Sequence, residues 1–372
     1  MTVTTQSRNK FHELLDLLRE VEERRYGPEY GIESPDDVAA GHRNLLHLLE
    51  GGLFSHFEAD PERPKFRRIV SPTRKFRGDN PDAIYFDAAI RPDREYRVRS
   101  NLAGAVYFSV TVEEGPGEGA YTTGTASGLH DGEMRIEPNG DFEILLSPDD
   151  PGDGRNWLKL TPTACRLTTR HYFEEAVCAA ADPSRHVPIA IDPVVDPGPP
   201  PAWDDARVAN GIARVMNFVR GDTIGQPPRD PQEQPSWVST TPNQFNPPEK
   251  PGDLAFSAMD IAYAMCPYWL GPDEALVIRG RFPPCKFANL VLWNRYLQSY
   301  DYNNRNISLN RAQTQLEPDG SFRLVVAHRD PGVPNWLDTE GREGGILYWR
   351  FLLPEGEIET PRCEVVEVSS LG

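Results

Sequence analysis

The chain has 372 residues, of which 38% are hydrophobic and 10% aromatic, enough to build more than one packed core and too apolar for a disordered chain. Its formal charge of −17 repels nucleic acid and anionic lipid, so neither is an expected partner. The five cysteines are scattered without a Cys-x-x-Cys pair, which argues against a disulfide framework or a zinc knuckle and for a reducing, cytoplasmic setting.

Residues 1–77 read as a helical hairpin followed by a basic, proline-interrupted linker. Met1 to Lys10 is polar, with no apolar core of a signal peptide, and no apolar run reaches the length of a membrane span. Phe11, Leu14, Leu15, Leu18 and Val21 recur at helical spacing and stop before Gly27-Pro28. Ser34-Pro35-Asp36-Asp37 offers a second helix start, with a cap, a proline in the first turn and carboxylates at the positive end of the dipole. The broad apolar face that follows is expected to pack on the next module. Arg63 to Arg77 is a basic stretch, read as solvated or internally paired.

From residue 78 the period changes to two. Tyr96 and Val98, then Val106, Phe108, Val110 and Val112, alternate as half-buried strands do. Met134 to Ile136, a Pro-Asn-Gly turn and Phe142 to Leu145 predict a hairpin, and Leu167 to Phe173 a closing strand. Residues 78–182 thus form a first module, and 183–253 a proline-rich connector with a helix at about 203–219. Its later part, Gln226 to Gly252, carries eight prolines but also Trp237 and Phe245, so it is expected to be ordered.

Residues 254–372 repeat the first module. Pro138-Asn139-Gly140-Asp141-Phe142 returns as Pro318-Asp319-Gly320-Ser321-Phe322, an offset of 318 − 138 = 180. Asp150-Pro151-Gly152 returns as Asp330-Pro331-Gly332, Asn156-Trp157-Leu158 as Asn335-Trp336-Leu337, and Leu167 and Arg170 as Leu347 and Arg350. Such spacing marks a tandem duplication. The expected fold is mainly β: two tandem antiparallel, jelly-roll-like β-sandwiches with an N-terminal helical hairpin and a short connecting helix.

The chemistry is less legible. No His-x-His, His-Glu-x-x-His, Gly-x-Ser-x-Gly or Gly-Lys-Ser/Thr pattern occurs, and neither a metal nor another cofactor is expected. Arg170 and Arg350 hold matching places and are candidates to grip an anionic group at a shared interface, with His171 beside the first. Each arginine has the simpler reading of a local ion pair. His328 departs from the repeat, since Pro148 stands at its counterpart, and Asp338 opens a charged loop absent from the first module. These two are the candidate acid–base pair. Trp336, beside Asn335, has the chemistry of carbohydrate stacking, although a tryptophan repeated in both modules is more simply a core plug. Asn80, Asp82 and Tyr85 enter the first module and are either turn groups or the lining of a pocket.

Leu316 to Phe322, Asp330 to Thr339 and Tyr348-Trp349-Arg350-Phe351 resemble the bacterial family called domain of unknown function 1214. Asn139-Gly140-Asp141, Asn156-Trp157-Leu158 and Arg170-His171-Tyr172-Phe173 resemble it again, and Asn80-Pro81-Asp82 with Tyr85 is similar to an entry motif of the companion family 1254. The resemblance implies tandem β-sandwiches and supplies no activity. The expected function is an enzyme acting on a small organic or carbohydrate-like substrate at the junction of the modules; the alternative is a non-catalytic ligand-binding or assembly protein.

Overall fold

A computed structural model describes residues 3–228, 230, 233–251 and 260–371; the expected start of the second module at 254 lies outside them. Three helices form one small cluster. Thr5 caps α1 (Gln6–Arg25) through the Arg8 amide. Ser34 caps α2 (Pro35–Gly52) through the Asp37 amide, with Pro35 and two aspartates in the first turn. Asp204 caps α3 (Asp205–Gly221), the connector helix.

Leu17 and Val21 of α1, Leu45 of α2 and Val215 and Val219 of α3 share one buried cluster, which Tyr296 of the second module completes. Contact of α3 with the turn after α2 requires glycine at 211, where a Cβ would lie 2.7 Å from the Phe57 carbonyl oxygen. The hairpin therefore seats chiefly on α3 rather than on the first module. The reason is complementarity: α3 offers an apolar stripe, and the hairpin meets the first module's outward face through a polar contact of His56 with Arg166 at 3.3 Å.

The first module contains β1 (Arg67–Arg68), β2 (Ala83–Ala89), β3 (Tyr96–Asn101), β4 (Tyr107–Glu114), β5 (Gly124–His130), β6 (Asp141–Ser147), β7 (Trp157–Lys159), β8 (Ala164–Tyr172) and β9 (Ile189–Pro193). The second contains β10 (Ile261–Trp269), β11 (Glu274–Gly280), β12 (Phe287–Trp293), β13 (Ser308–Asn310), β14 (Phe322–Ala327), β15 (Trp336–Asp338), β16 (Gly344–Leu352) and β17 (Arg362–Glu367). The sheets run β1-β2-β8-β4-β5 and β7-β6-β3-β9 in the first, and β10-β16-β12-β13 and β15-β14-β11-β17 in the second. Apart from β1, the two orders are the same plan. Pairing is antiparallel except for β6 with β7 and β14 with β15.

The shared motifs explain why the plan repeats. Asn156 Nδ2 donates to the carbonyls of Arg135 and Glu143 while its Oδ1 accepts from the Arg135 amide. Asn335 does the same with Gln315 and Arg323. Asp150 and Asp330 each accept from the glycine amide two residues on, at 2.8 Å. These asparagines also account for a difference from expectation. The segment 134–136 does not form the predicted strand, because the Asn156 side chain takes the amide and carbonyl of Arg135 that a strand neighbour would have taken, as Asn335 does at Gln315. The turns themselves are present, closed from Glu137 to Asp141 and from Glu317 to Ser321 at 2.8 Å.

The basic stretch is internally satisfied. Arg63 donates to the carbonyls of residues 197–199, Arg68 to those of Val70 and Ala180, and Arg74 to those of Ile69 and Arg68. Lys75 is wholly buried, donating to Ser299 Oγ at 2.8 Å and lying 3.7 Å from Asp79. No described helix is long and apolar enough to cross a membrane.

Candidate functional site

Side chains alternate across a strand, so each central sheet has a face turned into its own sandwich and a face turned out. In the first module Phe108, Val110 and Leu167 point in. Directly paired residues share a face, which places Tyr85, Arg170 and Ser109 in one outward row and Ala83, Tyr172 and Tyr107 in the next. In the second module the matching row is Tyr263, Arg350 and Asn289. The two outward faces meet. Ala83, Tyr107 and Tyr172 belong to the same buried cluster as the second module's core, and the Tyr172 ring centroid lies 5.2 Å from that of Phe287.

At this junction Asn80 and Asn289 exchange amide hydrogen bonds of 3.3 and 2.8 Å across the modules. Asp82 accepts from Asn289 Nδ2 at 2.9 Å and from Asn310 Nδ2 at 3.1 Å. Burial raises the Asp82 carboxyl to about 7; the hydrogen bonds from Asn289, Asn310 and Cys178 oppose that rise. Tyr85 and Tyr172 bring their hydroxyls to 3.3 Å, and burial holds the Tyr85 phenol well above its ordinary value.

The two arginines are treated differently. Arg170 donates to Thr111 Oγ1 at 3.0 Å and lies 3.8 Å from Glu113, whose carboxylate also accepts from Thr111. Arg350 donates to the Gly78 carbonyl and lies over the rings of Trp293 and Tyr348, 5.0 and 4.6 Å from their centroids. Its electrostatic neighbours are the phenols of Tyr85, Tyr172, Tyr348 and Tyr263, drawn from both modules.

Five residues singled out in the sequence thus converge: Arg170, Arg350, Asn80, Asp82 and Tyr85. The others lie elsewhere. His171 faces into the first sandwich, its ring 4.7 Å from Phe108; burial drives its pKa down to about 3, against a smaller opposing effect of the Asn101 backbone. Trp336 opens β15, packs against the cluster of Val325 and Ala327, and donates to the Ala327 carbonyl at 3.1 Å. Asp338 pairs with Arg305 at 2.7 Å and accepts from the Glu340 amide. His328 Nδ1 lies 2.6 Å from Thr339 Oγ1. Trp336 and Asp338 belong to the outer sheet of the second module and His328 follows β14 of that sheet, a layer away from the arginines. The junction also recruits Glu113, Tyr172, Tyr263, Asn289 and Tyr348, which are not among the residues expected there from sequence. Their signal was the alternation that puts Tyr348 and Arg350 on one face, and the pairing of Tyr85 with Tyr263 at an offset of 263 − 85 = 178.

Fold and junction together define a tandem β-sandwich protein in which one eight-strand module occurs twice. The model of a family described as "Protein of unknown function (DUF1214)" matches residues 87–175 and 280–356, one segment in each module, consistent with tandem copies of that domain. A putative uncharacterized protein from Burkholderia cenocepacia, known from its crystal structure, is 27% identical over 97% of this chain and 98% of its own, with a TM-score of 0.82. The VPA0106 protein from Vibrio parahaemolyticus shares the fold, at 13% identity over 87% of this chain and 100% of its own, with a TM-score of 0.50. No curated protein matches the chain.

Proposed function

We propose that the junction between the sandwiches is a binding site for a small organic molecule. The observation that carries this reading is the convergence there of polar side chains from both repeats, Arg170, Arg350, Asp82, Asn80 and Asn289, all of them buried. Burying Arg350, Asp82 and several phenols together costs stability, and a ligand that bonds to them offsets the cost. A catalytic version of the same reading has its own support in Asp82. A carboxyl held near neutrality can both give and take a proton at physiological pH, which suits general acid–base work on the bound molecule. The repeated Asn-Trp pairs support no carbohydrate contact, since their polar atoms are engaged in their own turns. The acidic charge fits a protein without nucleic-acid partners, and five unpaired cysteines fit a cytoplasmic location.

The test is a thermal-shift screen of metabolite classes on the full chain and on Tyr85→Leu. A ligand at one hundred times its Kd adds about 2.7 kcal/mol of stability. The reading holds if a compound stabilises the natural protein and its effect is lost in the variant. It fails if every stabilising compound acts equally on both.

A further inference from the structure

The duplication supplies its own control for Arg350. At an offset of 180, Thr111 corresponds to Val291 and Glu113 to Trp293. The strand registers agree: Thr111 lies opposite Thr168 and Val291 opposite Tyr348, while Glu113 lies opposite Arg166 and Trp293 opposite Ile346. The hydroxyl and carboxylate that hold Arg170 are therefore a methyl-bearing side chain and an indole in the second module. Arg350 is nonetheless as buried as Arg170, at 4% against 5% exposure. Its Nη1 has no hydrogen-bond partner, and among the described residues no carboxylate lies within 4.0 Å of its guanidinium. A buried guanidinium lacking a counter-ion is costly, and cation–π contacts with Trp293 and Tyr348 offset only part of that.

We propose, resting on the reading of the junction as a ligand site, that the ligand is a compact monocarboxylate whose charged group sits on Arg350 Nη1. The carboxylate that Glu113 sets beside Arg170 has no counterpart at Trp293 beside Arg350, and a monoanion supplies one. A dianion such as phosphate brings a second charge into an interface that already buries Asp82 and holds Asp260 against the Tyr107 hydroxyl. The phenols of Tyr85 and Tyr172, electrostatic neighbours of Arg350, supply further donors to the carboxylate oxygens.

Isothermal titration of the full chain with acetate, benzoate, the neutral isostere benzamide and inorganic phosphate tests this. A carboxylate is expected to bind roughly 10–100-fold more tightly than benzamide, the range of a charged hydrogen bond in a buried site. Arg350→Met is expected to abolish that preference, with Arg350→Lys keeping part of it. The carboxylate-to-amide ratio on the natural protein needs no variant, so misfolding of Arg350→Met does not spare the proposal. Benzamide binding as tightly as the carboxylates, or phosphate binding more tightly than either, overturns the anion assignment and leaves the junction as a ligand site. Failure of all four probes to bind overturns both.

Discussion

Replacing Asp82 by asparagine should change the way stability depends on pH, by an amount that can be worked out. Burial raises the folded carboxyl to about 7 from the ordinary 3.8. Between those values the folded chain holds a proton that the unfolded chain has released. This contribution to stability is complete below the unfolded value and is lost as pH rises through 7. From about pH 5 to about pH 7 the folded state keeps a proton that the unfolded state has released, which costs about 1.4 kcal/mol per pH unit, or roughly 2–3 kcal/mol in all, and above that range the loss levels off. Asp82→Asn lacks that loss. It also sets an amide against Asn289 or Asn310, a penalty of about 1–3 kcal/mol that does not vary with pH. The assay is urea denaturation followed by tryptophan fluorescence at about pH 5, 6.5 and 8. The stability difference between the two proteins should move by roughly 2–3 kcal/mol in favour of the variant over that range. A difference constant to within about 0.5 kcal/mol refutes the assignment of a near-neutral pKa to Asp82.

Three further outcomes follow from the same physics. His171 is depressed to about 3, so its contribution is present above 6.5 and lost as pH falls; His171→Phe should gain about 2 kcal/mol on the natural protein between about pH 7 and pH 5, measured by the same denaturation series. Lys75→Met leaves Asp79 buried without its cation and should cost about 3–5 kcal/mol, with Asp79→Asn in the double variant recovering part of it in a double-mutant cycle. Asn156→Ala and Asn335→Ala each remove three hydrogen bonds of the same geometry and should lower stability alike, by about 2–4 kcal/mol in chemical denaturation; a large inequality contradicts their shared structural role.

Much of the fold was legible because each module stated it separately. The cap at Ser34, the turns after Asp150 and Asp330 and the alternation through Phe108 and Val110 are local signals, and they formed as read. Strand β9 escaped because prolines dominate its surroundings, and only its pairing with β3 makes it a strand. The site was half legible. Arg170 and Arg350 stood out by matching, and Asn80, Asp82 and Tyr85 by clustering at the module entrance. His328 and Asp338 stood out by breaking the repeat, yet they serve their own loop. The substitutions that matter at the junction are quieter: Val291 for Thr111 and Trp293 for Glu113 look like ordinary core residues until the register shows which arginine they fail to hold. Sequence distance conceals such relations, because which outward faces meet is decided by packing between modules.

Mass spectrometry of small molecules released by denaturing the purified protein tests the junction reading most directly. The natural chain should release a small organic acid in near-stoichiometric amount, and Arg350→Met, prepared in parallel and shown to be folded, should release none. Equal release from both, or none from either, contradicts the account.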